Sequence, residues 1–90
     1  MRHLTLPRFW KHYQELPEEV RKLADKNYEI LIANPFHPSL HFKKVGRTRQ
    51  LWSVRVGESY RALGAEKSEG IVWFWIGTHE DYDKILRKTT

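Results

Sequence analysis

The 90-residue chain reads as one α+β domain spanning residues 1–90: a short N-terminal strand, a two-helix hairpin, an antiparallel three-strand meander and a short C-terminal helix. Three observations predict this. Apolar residues recur every three or four positions as far as Asn34, and from Gln50 the period changes to two. An unbroken apolar run from Ile71 to Ile76 then precedes a charged, amphipathic tail.

The opening "RHLTL", residues 2–6, alternates and predicts a short strand. Pro7 suits the first turn of a helix, and Phe9, Trp10, Tyr13 and Leu16 follow at helical spacing. Pro17 restarts the pattern. In "LPEEVRKLADKNYEILIANP", Val20, Leu23, Ala24, Tyr28, Leu31 and Ile32 fall on one stripe, and Glu18 and Glu19 complement the positive end of the helix dipole. Asn34 and Pro35 stop this second helix. The stretch "NPFHPSLHFKKVGRTR" has two prolines and a glycine and reads as irregular or edge-like.

The hairpin over residues 50–65 offers two registers. A two-residue turn at Gly57-Glu58 pairs Val54 with Arg61 and places an arginine on the apolar face. A three-residue loop, Gly57 to Ser59, pairs Val56 with Tyr60, Val54 with Ala62 and Trp52 with Gly64, which makes room for the indole. The second register is expected, because the slip of one residue buries a charge. It sets Arg55 directly across from Arg61. Two arginines so placed repel unless an anion joins them, and a phosphate suits their planar donors. The competing reading leaves them splayed into water or paired with Glu58.

"IVWFWI" predicts a central strand, with Trp73 and Trp75 sharing one core face. Thr78 followed by Asp81 reads as a helix cap. Lys84, Arg87 and Lys88 populate the last turn, and Tyr82, Ile85 and Leu86 share a face. His79 therefore sits in the first turn of a helix, just past the most buried strand. Such places gather backbone N–H groups around anions, although an exposed first-turn residue is the plainer reading.

Composition narrows the function. There is no cysteine, which excludes disulfides, thiolate catalysis and Cys-based zinc sites. Four each of Trp, Tyr and Phe supply a core without metal or disulfide. No stretch is long enough for a signal peptide or membrane span, so a cytoplasmic protein without membrane contacts is expected. The formal net charge is +5, and no Asp or Glu lies between Glu29 and Glu58, while Lys43, Lys44, Arg47, Arg49 and Arg55 do. A basic surface from one contiguous segment points to a polyanion partner, with a merely solvated basic face as the alternative.

These residues resemble the RelE/ParE toxin superfamily. "LPEEVRKLADKNYEILIANP" is similar to the family's second helix, "LWSVRVGESYRALG" to its central hairpin, and "IVWFWIGTHEDYDKIL" to its last strand and terminus. The resemblance implies a toxin held by a cognate antitoxin in a hetero-oligomer. It implies a metal-independent, cofactor-free endoribonuclease that cuts messenger RNA, usually on the ribosome. Arg61 matches the arginine after tyrosine that contacts the scissile phosphate in RelE. Arg55 matches a RelE lysine, and Ser53 stands where RelE has another. His79 falls where RelE has arginine and YafQ-like members have histidine. Tyr82 lies near the C-terminal tyrosine of RelE, and His41 lies in the loop where YafQ-like members carry a histidine. The implied site is thus His79, Arg61, Arg55 and Tyr82 for catalysis, with Lys43, Lys44, Arg47, Arg49 and His41 binding RNA. ParE-like members instead inhibit DNA gyrase without catalysis, and a weakly toxic member is a third alternative. His3, His12 and His37 read as surface or structural.

Overall fold

The computed structural model describes residues 2–46 and 50–89. The chain runs β1 (His3–Thr5), α1 (Pro7–Gln14), α2 (Glu18–Ala33), a 3-10 turn (Pro38–Leu40), β2 (Lys43–Val45), β3 (Leu51–Val56), β4 (Tyr60–Lys67), β5 (Gly70–Thr78) and α3 (His79–Thr89). One five-stranded sheet has the order β1-β5-β4-β3-β2. β1 runs parallel to β5, and every other pair is antiparallel. The irregular segment after α2 thus contributes an edge strand as well as a 3-10 turn.

The three-residue hairpin register is the observed one: Val56 faces Tyr60, Val54 faces Ala62, Trp52 faces Gly64 and Arg55 faces Arg61. Gly57 takes the left-handed backbone with φ of 67° that turns the chain there. Val54, Val56, Ala62 and Trp73 pack with residues of α1 and α2 on one side of the sheet. Leu63 and Trp75 pack with Tyr82, Ile85 and Leu86 of α3 on the other. The sheet is therefore covered on both faces, and each face has its own apolar cluster.

Two sequence expectations are corrected here. Trp73 and Trp75 do not share a face, because the β4–β5 register shifts between Leu63 and Gly64. Leu63 pairs with Trp75 and Gly64 with Trp73, so Phe74 is the extra residue and the alternation breaks. The space at Gly64 also serves Ile71 and Trp73, whose side chains lie 2.5 and 2.9 Å from where a Cβ would sit. The Trp52 indole instead stacks on Phe42 at 4.3 Å and donates to Glu66 Oε1 at 2.9 Å.

The buried stripe of α2 differs as well. Tyr28 is 50% and Ile32 56% exposed, whereas Asn27 is buried with Leu31. Asn27 Nδ2 donates to the Arg55 carbonyl at 3.0 Å and so ties α2 to β3. A buried amide is tolerated when its partner is supplied, and removing it strands the partner. Asn27→Ala is expected to lower unfolding free energy by about 1–3 kcal/mol, measured by urea denaturation.

His3 ties β1 to β5 through a side chain. Trp73 Nε1 donates to His3 Nδ1 at 3.0 Å, and the rings stack. This bond needs an unprotonated Nδ1, and burial pushes the imidazole below its ordinary value of 6.5. The folded protein resists a proton that the unfolded chain accepts. Its contribution is complete above pH 6.5 and is lost as the pH falls from there through the lower folded value. Urea midpoints measured across this range should fall more steeply for the wild type than for His3→Gln.

Candidate active site

The hairpin end of the sheet brings the two arginines together. Both point away from α1 and α2, toward the side covered by α3. Arg55 Nε and Arg61 Nη1 each donate to the same acceptor, the Gly57 carbonyl, at 3.1 Å. Arg61 Nη1 also reaches the carbonyls of Tyr60 at 2.7 Å and Glu58 at 3.3 Å. Among the described residues neither arginine pairs with a carboxylate within 4.0 Å; it is the Glu58 carbonyl, not its side chain, that Arg61 meets.

Carbonyl dipoles orient these guanidinium groups without neutralising them. Burial pushes Arg61 down from its ordinary value and the charge of Arg55 adds to this, while Tyr82 and Asp83 oppose both. An arriving anion would relieve the same repulsion, and a phosphate could take donors from both side chains.

β5 delivers α3 to this spot. Arg61 pairs with Gly77 and Tyr60 with Thr78. The Trp75 ring occupies the space that a Cβ on Gly77 would need, 2.5 Å from its Cζ2. The His79 amide then donates to the Ser59 carbonyl at 2.8 Å, which joins the start of α3 to the hairpin loop. Thr78 Oγ1 accepts from the Asp81 amide at 3.1 Å, as its capping position predicts.

His79 is half-exposed, with its Nδ1 3.1 Å from Asp83 Oδ2. Its ring lies 5.6 Å from that of Tyr82, which is buried against Leu63 and Trp75. The hairpin and α3 thus place Arg55, Arg61, His79 and Tyr82 at one end of the sheet.

The basic residues divide. His41 follows the 3-10 turn with a left-handed φ of 44°, uncommon for a residue with a side chain. Its Nε2 lies 3.4 Å from Arg55 Nη1, so it belongs to the arginine cluster. Lys43 pairs with Ser53, one row from Arg55 and on the same face, and is exposed. Lys44 is on the other face, where Glu66 Oε1 holds it at 3.2 Å and the Trp52 ring lies 5.6 Å away. Alternation along β2 separates the two lysines. Arg47 and Arg49 lie outside the described residues. Ser53 is 2% exposed, in the core of the sheet rather than on a binding surface.

The other histidines are structural or peripheral. His3 accepts from Trp73, His37 Nδ1 accepts from the Ser39 amide at 3.2 Å, and His12 lies 3.9 Å from Glu15. Sequence reasoning did not find the Gly57 carbonyl at the site. For Asp83 a signal was present, since it follows His79 by one helical turn.

This fold and arrangement define a small RelE-like α+β protein. A ParE-like toxin domain model matches residues 18–84, and the chain belongs to that toxin family. A comparison with curated proteins gives no significant match. Solved structures share the fold at low identity. The RelB-RelE antitoxin-toxin complex from Methanococcus jannaschii matches with a TM-score of 0.70 and 19% identity, over 91% of this chain and 96% of that one. The YoeB/ParE toxin from Agrobacterium tumefaciens matches at 0.65 and 14%, over 88% and 99%. The isolated E. coli RelE toxin matches at 0.61 and 16%, over 98% and 97%.

Proposed function

We propose that this toxin cleaves messenger RNA as an endoribonuclease and is held by a cognate antitoxin. The observation that carries the reading is the pair of guanidinium groups on the Gly57 carbonyl, with His79 at the adjoining helix start. In RNA cleavage the 2′-oxygen attacks phosphorus, its proton leaves to a base, the bond to the 5′-oxygen breaks, and an acid protonates that oxygen. Arg55 and Arg61 stabilise the extra negative charge on the phosphorane. His79 exchanges the proton at one end, and His41 and Tyr82 are the neighbouring groups for the other. Lys43 extends the basic surface along the RNA backbone and Lys44 is withdrawn from it by Glu66, while the RNA-binding role proposed for Arg47 and Arg49 rests on the sequence.

A protein partner is supported independently. Trp10 and Tyr28 border a cavity of about 480 Å³ between α1, α2 and the sheet and are exposed, as are Ile32 and Phe36. Exposed aromatics around an apolar recess mark a surface to be covered. The matched complexes include an antitoxin bound to a toxin of this fold. Among the described residues no helix is long and apolar enough to cross a membrane, and a cytoplasmic toxin–antitoxin complex is the proposed setting.

A second reading has its own support: the matching family description is ParE-like. A ParE-like gyrase inhibitor would use the same fold for protein binding and leave RNA intact. The deciding experiment incubates purified toxin with messenger RNA, with and without ribosomes, and in parallel with gyrase and relaxed plasmid. Cleaved RNA with normal supercoiling supports the ribonuclease. Intact RNA with blocked supercoiling replaces it with the gyrase inhibitor.

A further inference from the structure

We propose that Asp83 is a positioning residue that fixes the His79 imidazole in the Nδ1–H tautomer and leaves Nε2 as its free basic nitrogen. Asp83 Oδ2 lies 3.1 Å from His79 Nδ1, four residues on along α3. An ionised carboxylate only accepts hydrogen bonds, so the hydrogen must be on Nδ1. In a neutral imidazole the other nitrogen then carries the lone pair. The neighbouring carboxylate Glu80 is engaged elsewhere, 3.5 Å from Lys84. Asp83 is the carboxylate in contact with the ring among the described residues.

The same carboxylate also acts on the arginine end of the site, since its charge favours the charged form of Arg61. Asp83 therefore contacts the group that exchanges a proton, and its charge supports a group that meets the phosphate. When Nε2 takes a proton, both ring nitrogens carry hydrogen and Asp83 still accepts from Nδ1–H. When Nε2 gives that proton up, the ring returns to the same tautomer. No reorientation is needed between the two states.

The catalytic consequence rests on the ribonuclease reading, but the tautomer does not, and the experiment separates them. The full-length protein labelled with ¹⁵N in histidine is observed by long-range proton–nitrogen correlation at a pH where His79 is neutral. The wild type should show a protonated Nδ1 and an unprotonated Nε2. Asp83→Ala should shift the ring toward the Nε2–H form, and Asp83→Glu should restore part of the wild-type pattern. A wild-type ring mainly in the Nε2–H form, or a ratio unchanged by Asp83→Ala, overturns the proposal whether or not RNA is cut. In the RNA assay Asp83→Ala should lower kcat by about 10- to 100-fold with KM unchanged. A wild-type rate despite a shifted tautomer overturns the positioning role in catalysis. A shifted tautomer in a protein that never cuts RNA supports the positioning of His79 and removes the ribonuclease reading alone.

Discussion

On the ribonuclease reading, Arg61→Ala is expected to cut messenger RNA about 10²- to 10³-fold more slowly than the wild type, the usual loss when one donor to a developing oxyanion is removed. The argument is electrostatic. In the free protein Arg61 sits opposite Arg55, with carbonyl oxygens rather than a carboxylate for company. Its charge is disfavoured by burial first and by Arg55 second. Such a charge gains more from an arriving phosphate than an exposed arginine would, because it gives up less water to bind. The phosphorane carries more negative charge than the ground-state phosphate, so the gain grows toward the transition state.

Stability should move differently. Removing Arg61 also removes a repulsion, so the melting temperature of Arg61→Ala should stay close to the wild type or rise. Arg61→Lys should recover little activity, since an ammonium offers a point charge where a planar fork is needed. The measurement is single-turnover cleavage beside a thermal melt. A large fall in melting temperature would mean the arginine supports the hairpin rather than the chemistry.

Much of this geometry was legible in the sequence because it depends on local parity. Trp52, Val54 and Val56 alternate with Ser53 and Arg55, so only one loop length kept Arg61 off the apolar face, and the observed pairing follows. Thr78 and Asp81 likewise announced the start of α3 through spacing alone. Parity fails where an extra residue enters a strand. The bulge opposite Leu63 and Gly64 sends Trp73 and Trp75 to opposite faces, and nothing in "IVWFWI" reveals it, since every residue of the run is apolar.

Polar residues in the core were equally opaque. Asn27 is buried and Tyr28 exposed because the carbonyl of Arg55 waits beneath α2. That partner lies 28 residues along the chain, beyond any periodic pattern. The lysine pair failed for a third reason. "FKKV" follows two prolines and reads as irregular or edge-like, which leaves the opposite directions of Lys43 and Lys44 undetermined in the sequence. The Gly57 carbonyl belongs to the same class: its importance comes from the two arginines that folding brings beside it.

His79→Ala should lower cleavage by about 10²- to 10⁴-fold, the range for losing a general acid or base, without unfolding the protein. The imidazole is half-exposed, and the helix is held by Thr78 at its cap and by Tyr82, Ile85 and Leu86 beneath. The His79 amide bond to Ser59 is a backbone contact that alanine keeps. His79→Gln separates shape from proton transfer, because glutamine retains polarity and hydrogen bonding but cannot titrate near neutral pH. If His79 moves a proton, His79→Gln should be nearly as slow as His79→Ala. If it only contacts RNA, glutamine should restore most of the rate. Rates are measured with purified protein on messenger RNA, with and without ribosomes, beside a thermal melt. Wild-type cleavage by folded His79→Ala would remove this side chain from the reaction and leave it as the first residue of α3.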